Sequence, residues 1–224
     1  MKRALTFILL MISASVFQST ALAEDAQDAK TVLSRVARAM GADNFKTIHY
    51  SGTGSSYIEP GPTAGLVHSV MKSYVRDINL DAMTSRLQLV RMEGTPPADK
   101  TIVHASDASS PWSSQFEFWL TPYGFLKAAV TNNAKVETKT LFGTTYKTVT
   151  CTLPDGHVVV GYINDKDLIE RVETKIGENS DVIVESTYRD YADFAGVKFP
   201  SMIIEKHGGS LSLILVVKEV KAGN

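Results

Sequence analysis

The stretch His157-Val158-Val159-Val160-Gly161-Tyr162-Ile163, followed by Asn164-Asp165-Lys166-Asp167 and then Leu168-Ile169-Glu170-Arg171-Val172-Glu173-Thr174-Lys175-Ile176, decides the fold. Two extended runs flank a short polar turn. A parallel pairing needs a crossover of a dozen or more residues, so these two runs must form an antiparallel hairpin. Val158, Val160 and Tyr162 alternate with their neighbours, as do Val182, Val184 and Tyr188. That is the pattern of an antiparallel sheet with one covered face.

The same grammar extends in both directions. Downstream lie Val182 to Tyr188, Val197 to Lys206 and Leu211 to Val220, the last two separated by Gly208-Gly209. Leu211, Leu213, Leu215 and Val217 share one face of the final run while Ile214 and Val216 occupy the other, which predicts cover on both sides. Upstream are Val136 to Phe142 and Thr145 to Leu153, with Pro154-Asp155-Gly156 as the next turn. Further back come Thr47 to Tyr57, Ser69 to Ile78, Ser85 to Met92 and Thr101 to His104. Glu59-Pro60-Gly61-Pro62 and Gly94-Thr95-Pro96-Pro97 read as loops within one domain. About ten strands are more than a flat open sheet holds comfortably, so strong curvature or partial barrel closure is expected.

Two helices interrupt the strands. From Asp25 to Met40 the residues Val32, Leu33, Val36, Ala37 and Met40 recur at helical spacing, with Gly41 placed as a C-cap. Lys30, Arg35 and Arg38 occupy its polar face. A second helix is predicted near 121–132. Thr121 caps it, Pro122 takes its first position, Leu120 and Phe125 form a staple, and Phe125, Leu126, Ala129 and Val130 make one apolar stripe before Asn132-Asn133. The fold class expected is α+β: a strongly curved antiparallel half-barrel with both helices packed on its concave face.

The amino terminus carries Met1-Lys2-Arg3, an apolar run from Ala4 to Val16, and Ala21-Leu22-Ala23 before Glu24-Asp25. This is the pattern of a secretory signal peptide, residues 1–23, with cleavage after Ala23 and a mature domain from 24 to 224. The run is shorter than the roughly 20 apolar residues a span requires, and Ser13, Ser15 and Gln18 break it. No later stretch is apolar enough to span, so no stable membrane span is expected after cleavage. The formal net charge of −1 becomes −3 when Lys2 and Arg3 leave, a balance that argues against a nucleic-acid partner. Cys151 is alone, so no internal disulfide forms, and its strand context makes it a small core residue.

No catalytic or metal motif emerges. His49, His68, His104, His157 and His207 are too dispersed for a short zinc motif. Gly52-Thr53-Gly54 reads as a bulge, since no Gly-x-Ser-x-Gly elbow is present. Ser69-Val70-Met71-Lys72 has Ser-x-x-Lys spacing but starts an extended run and lacks the companion motifs. Asn164-Asp165-Lys166-Asp167, and Asp190 with Asp193, are turn residues without the rest of a calcium loop. Neither an enzyme nor a cofactor is expected. The densest feature is aromatic: Trp112, Phe116, Phe118, Trp119, Tyr123 and Phe125 fall within fourteen residues, with Leu126 following. They are the candidate ligand-binding residues, lining a pocket for an apolar group, or alternatively the core contact of the second helix.

Four segments carry a family resemblance: Ala39-Met40-Gly41-Ala42; Phe118 to Ala129; Gly161-Tyr162-Ile163-Asn164-Asp165 with Leu168 to Glu173; and Tyr188-Arg189-Asp190-Tyr191 with Gly196-Val197-Lys198-Phe199-Pro200. The chain resembles the amino-terminal region of periplasmic metallo-β-lactamase-fold hydrolases. More distantly it is similar to outer-membrane lipoprotein-sorting proteins of the LolA/LolB type. The second resemblance implies a half-barrel closed by helices around acyl chains. The first implies a zinc domain with a His-x-His-x-Asp-His motif, which this chain lacks, so no zinc chemistry carries over. The expectation is a periplasmic, non-catalytic binding or accessory module for a lipid or other apolar small molecule. The alternative is an interaction domain, or fragment, that docks to a protein partner such as a separate hydrolase.

Overall fold

Eleven antiparallel strands form one sheet in the computed structural model, which describes residues 28–42, 45–58, 67–176 and 182–223. The segment read as a signal peptide, the first residues of the leading helix and the Glu59-Pro60-Gly61-Pro62 loop lie outside the described residues. The strands are β1 (Thr47–Ile58), β2 (Val67–Asn79), β3 (Thr84–Glu93), β4 (Ala98–Ser106), β5 (Lys135–Leu141), β6 (Thr144–Thr152), β7 (Val158–Ile163), β8 (Ile169–Lys175), β9 (Ile183–Phe194), β10 (Val197–His207) and β11 (Ser210–Gly223). Each strand read in the sequence is present, and the hairpin that decided the fold is β7–β8.

The sheet order is β4-β3-β2-β1-β11-β10-β9-β8-β7-β6-β5. Every neighbouring pair is a sequential hairpin except β1–β11, which joins the two meanders at the centre. The sheet is curved and unclosed, with β4 and β5 as its edges. Bulges help bend it. One lies between Gly52 and Gly54 on β1, as the sequence leads one to expect, where the pairing to β2 shifts register; the pairing to β11 shifts one step earlier, between Ser51 and Gly52. A Cβ at Gly54 would come within 1.9 Å of the Ile214 carbonyl, so the close approach of β1 and β11 requires glycine. In β11 the bulge opposite Ser51 lets Val217 and Val220 both face the core despite their odd spacing.

The leading helix α1 covers 28–40, with Val32, Leu33, Val36 and Met40 buried and Gly41 at φ +68° ending it. Arg35 on its polar face reaches Asp167 in the β7–β8 turn at 3.1 Å. Because β4 and β5 sit at opposite edges, the chain between them must cross the open side of the half-barrel. It does so as two short helices, α2 (Trp112–Trp119) and α3 (Pro122–Thr131), on the concave face. Thr121 caps α3 by accepting from Gly124 N at 3.1 Å, and Pro122 opens it as expected.

Several sequence expectations need correction. Helix α2 was not foreseen. Its aromatic residues give little helical periodicity, and Pro111 at its N-cap makes no side-chain cap bond. Val130 is 63% exposed, outside the apolar stripe, because α3 turns that side to solvent. The phase of β7 is also reversed. Val158 is exposed, while Val159, Gly161 and Ile163 face the helices. A run of consecutive valines has no phase of its own, and the neighbour decides: the Phe125 ring lies where a Cβ on Gly161 would sit, 2.3 Å away. On β11 the Leu213, Leu215 and Val217 face is buried and the Ile214 and Val216 face is half-covered.

Candidate functional site

The concave face is where the chain's unusual chemistry collects. Helices α2 and α3 lay their aromatic residues against it. Phe116, Phe118, Trp119, Tyr123, Phe125 and Leu126 are all buried, and Trp112 is half-buried at the start of α2. Trp112 stacks on His157 at 4.0 Å and donates from Nε1 to the Lys175 carbonyl at 2.9 Å. Phe118 and Trp119 meet edge to face. The Tyr123 hydroxyl lies 2.8 Å from the Met40 carbonyl and 2.9 Å from that of Lys198, so one phenol ties the end of α1 to β10. The structure therefore brings all seven candidate residues together on the inner surface. None of them lines either of the two surface clefts described below.

Beneath α2 the apolar lining gives way to a polar seam that the sequence reading missed. Arg76 on β2 is almost fully buried. It donates from Nη2 to Glu117 Oε2 at 2.5 Å and from Nη1 to the Glu117 carbonyl at 3.3 Å, clasping α2 to the sheet. Tyr50, Tyr74, Ser186, Tyr188 and Glu205 surround it on the same face. Burial raises the Tyr50, Tyr74 and Tyr188 phenols above their ordinary range. Arg76 Nε, Ser186 Oγ, Tyr188 Oη and Trp119 Nε1 are buried without a partner of good geometry among the described residues. Such atoms are uncommon in native interiors and call for a partner. A signal existed in the sequence: Arg76 falls in phase with Tyr74 and Ile78, the one charged residue among the covered positions of β2.

Glu205 on β10 stands opposite Ser186 in register. Burial pushes its carboxyl up to about 7, nearby Glu117 adds to the rise, and Arg76 opposes it. The native state thus holds a proton that the unfolded chain releases near 4.5, so stability falls as pH rises between these two values and the cost is complete above 7. Glu205→Gln is expected to stabilise the protein above pH 7 by up to about 3 kcal/mol and to change little below pH 4.5. Urea midpoints measured across that range test this, and a stabilisation independent of pH would defeat it.

The dispersed histidines stay dispersed. His49 pairs with Asp77 at 2.7 Å, His68 with Ser55, and His207 meets the edge of Phe116. Among the described residues no group of three or more His, Cys, Asp or Glu side chains is placed to hold a metal ion. Ser69 donates to the Met92 carbonyl and Lys72 pairs with Asp99, so neither is directed at the other. Asn164 Oδ1 accepts from Lys166 N and Leu168 N, and Asp193 accepts from Gly196 N, which gives both acidic segments turn-forming roles. Cys151 is buried in the core, and burial pushes its thiol up to about 12. No described helix is long and apolar enough to cross a membrane.

Two clefts stand out on the surface of the described residues. One, of about 630 Å³, lies at the ends of β1 to β4 and is lined by His49, Asp77, Arg86, Asp107 and Lys221 among others. The second, of about 760 Å³, lies beside the β5–β6 hairpin and the β7–β8 turn.

The molecule thus belongs to the class of unclosed, curved antiparallel sheets with helices on the concave face. Among solved structures it is similar to a DUF1329 family protein from Desulfovibrio piger, with TM-score 0.50 and 10% identity over 87% of this chain and 92% of that one. A LolA superfamily protein from Nitrosomonas europaea gives TM-score 0.49 and 13% identity over 88% and 94%. An outer membrane lipoprotein-sorting protein domain assigned in Vibrio parahaemolyticus gives 0.46 and 10% over 87% and 93%. At such identities the likeness concerns the fold alone. No family model and no curated protein matches the chain.

Proposed function

We propose that the chain, exported and freed of its signal peptide, works in the periplasm as a non-catalytic binding module that takes an apolar chain, such as a lipid acyl group, onto the concave face of its half-barrel. Helix α2 is the cover. The observation that carries this reading is the seam under α2, where a helix of eight residues is tied to the sheet at its polar side by the Arg76–Glu117 ion pair and the Trp112–Lys175 hydrogen bond, over a face lined with aromatics and with polar atoms that lack a well-formed hydrogen bond. Elements that move are drawn from the weakly anchored end of a structure. Lifting α2 would uncover Phe116, Phe118, Trp119 and their neighbours for an apolar chain and leave Arg76, Ser186 and Tyr188 for a polar head. The resemblance of the sequence to lipoprotein-sorting proteins points the same way.

The chain's two tryptophans, Trp112 and Trp119, are the first and last residues of α2, so intrinsic fluorescence reports on the cover directly. Titrating the delipidated protein with a long-chain fatty acid is expected to change tryptophan emission saturably. Native mass spectrometry of protein purified from the periplasm should also show a lipid-sized adduct. An unchanged emission together with a bare polypeptide mass would overturn the reading and turn the search to a protein partner.

A further inference from the structure

The second cleft holds the least explained residue in the molecule. The β5–β6 hairpin turns through Phe142-Gly143, with Leu141 paired to Thr144. Both turn residues have positive φ, +50° and +82°, the geometry of a tight hairpin turn that favours asparagine before glycine. A bulky residue in this region is a genuine outlier. Phe142 is moreover fully exposed, at 101%. The fold therefore gains nothing from phenylalanine here, in backbone strain or in burial, and strained residues of this sort collect where a ligand or surface is met.

Phe142 is a wall of the cleft, whose charged lining residues are Lys166, Arg171, Arg189 and Lys198 against Glu170 and Asp190, an excess of two positive charges. Arg171 is occupied by Glu173 and Glu185. Lys166, Arg189 and Lys198 make no ion pair among the described residues. The hairpin adds Lys135, Lys139 and Lys147 against Glu137 alone. Tyr146 and Tyr162 supply flat amphipathic walls. In a chain of net negative charge, an exposed aromatic beside a local basic excess is complementary to an apolar layer bordered by anions.

We propose that this edge of the half-barrel docks on an anionic lipid surface, with Phe142 entering the acyl boundary and Lys166, Arg189 and Lys198 receiving lipid phosphates. Phe142, Lys166, Arg189 and Lys198 lie outside the helix-covered interior, with which the cleft shares Tyr188 as a common wall, and docking through them does not depend on what the concave face binds. Basic residues near an anionic leaflet each strengthen attachment, and salt screens them.

Flotation of the full mature protein with phosphatidylglycerol-containing and pure phosphatidylcholine vesicles tests the proposal, with soluble glycerol phosphate as a third ligand. Binding to the anionic vesicles alone, weakened by salt, is expected. R189Q/K198Q should lose more than ten-fold in vesicle affinity. F142N should lose at least ten-fold while its melting temperature holds or rises, because Asn-Gly suits the turn better than Phe-Gly. Equal binding to both vesicle types, binding of glycerol phosphate without vesicles, wild-type flotation of F142N, or no binding at all would each overturn it.

Discussion

Truncating Phe125 to alanine is expected to cost about 3–5 kcal/mol of unfolding free energy, among the largest losses a single core substitution gives. Phe125 is fully buried and stands where α3, β7 and the rest of the helical layer meet. Its ring occupies the space left by the missing side chain of Gly161, whose Cβ would lie 2.3 Å from two ring carbons. Gly161→Ala should therefore cost about 1–3 kcal/mol by overpacking. In the Phe125→Ala background the added methyl enters the cavity instead, so the double variant should be more stable than the sum of the two losses predicts. Urea unfolding of the four proteins of this cycle measures the coupling. Strictly additive losses would mean that the ring does not decide which face of β7 is covered.

Replacing Arg76 by methionine is expected to destabilise the protein by about 3 kcal/mol near pH 8, at the lower end for a broken buried pair because Glu117 is 37% exposed. The loss has a specific pH dependence. Without the guanidinium, Glu117 and Glu205 face each other with no counterion beneath α2, and protonating Glu205 relieves this. The deficit should shrink near pH 5. Arg76→Met combined with Glu117→Leu should recover most of the stability, since an apolar pair of similar volume often equals or betters a buried ion pair. Hydrogen exchange on residues 112–119 gives the structural readout: α2 should open more readily in the single variant and be restored in the double. Unchanged exchange in α2 would show that the clasp is not what holds the cover.

Legibility varied from element to element. The eleven strands were readable because their turns are chemically marked: Pro154-Asp155-Gly156, Asp165-Lys166-Asp167 and Gly208-Gly209 each stop a run of β-branched residues. Helix α3 was readable from Thr121 and Pro122, local signals that require no knowledge of the rest of the fold. Helix α2 was not, because it forms through burial of Phe116, Phe118 and Trp119 against a sheet built from distant segments. The aromatic candidates were legible as a group, and the structure places them on the inner face. The Arg76–Glu117 clasp was not legible, since its partners are 41 residues apart and joined only by the crossing of α2 over β2.

By itself the sequence determined the local conformational choices: which runs extend, where they turn, that the pairing is antiparallel, and that so many strands must curve. These follow from propensity, periodicity and turn chemistry, which act over a few residues. Tertiary structure alone decided that β1 pairs with β11, that Val159 rather than Val158 faces inward, and that an arginine, two glutamates and three tyrosines converge under one short helix. Those outcomes depend on which distant surfaces meet, and pairwise contact over such separations leaves no mark within any local window of the chain.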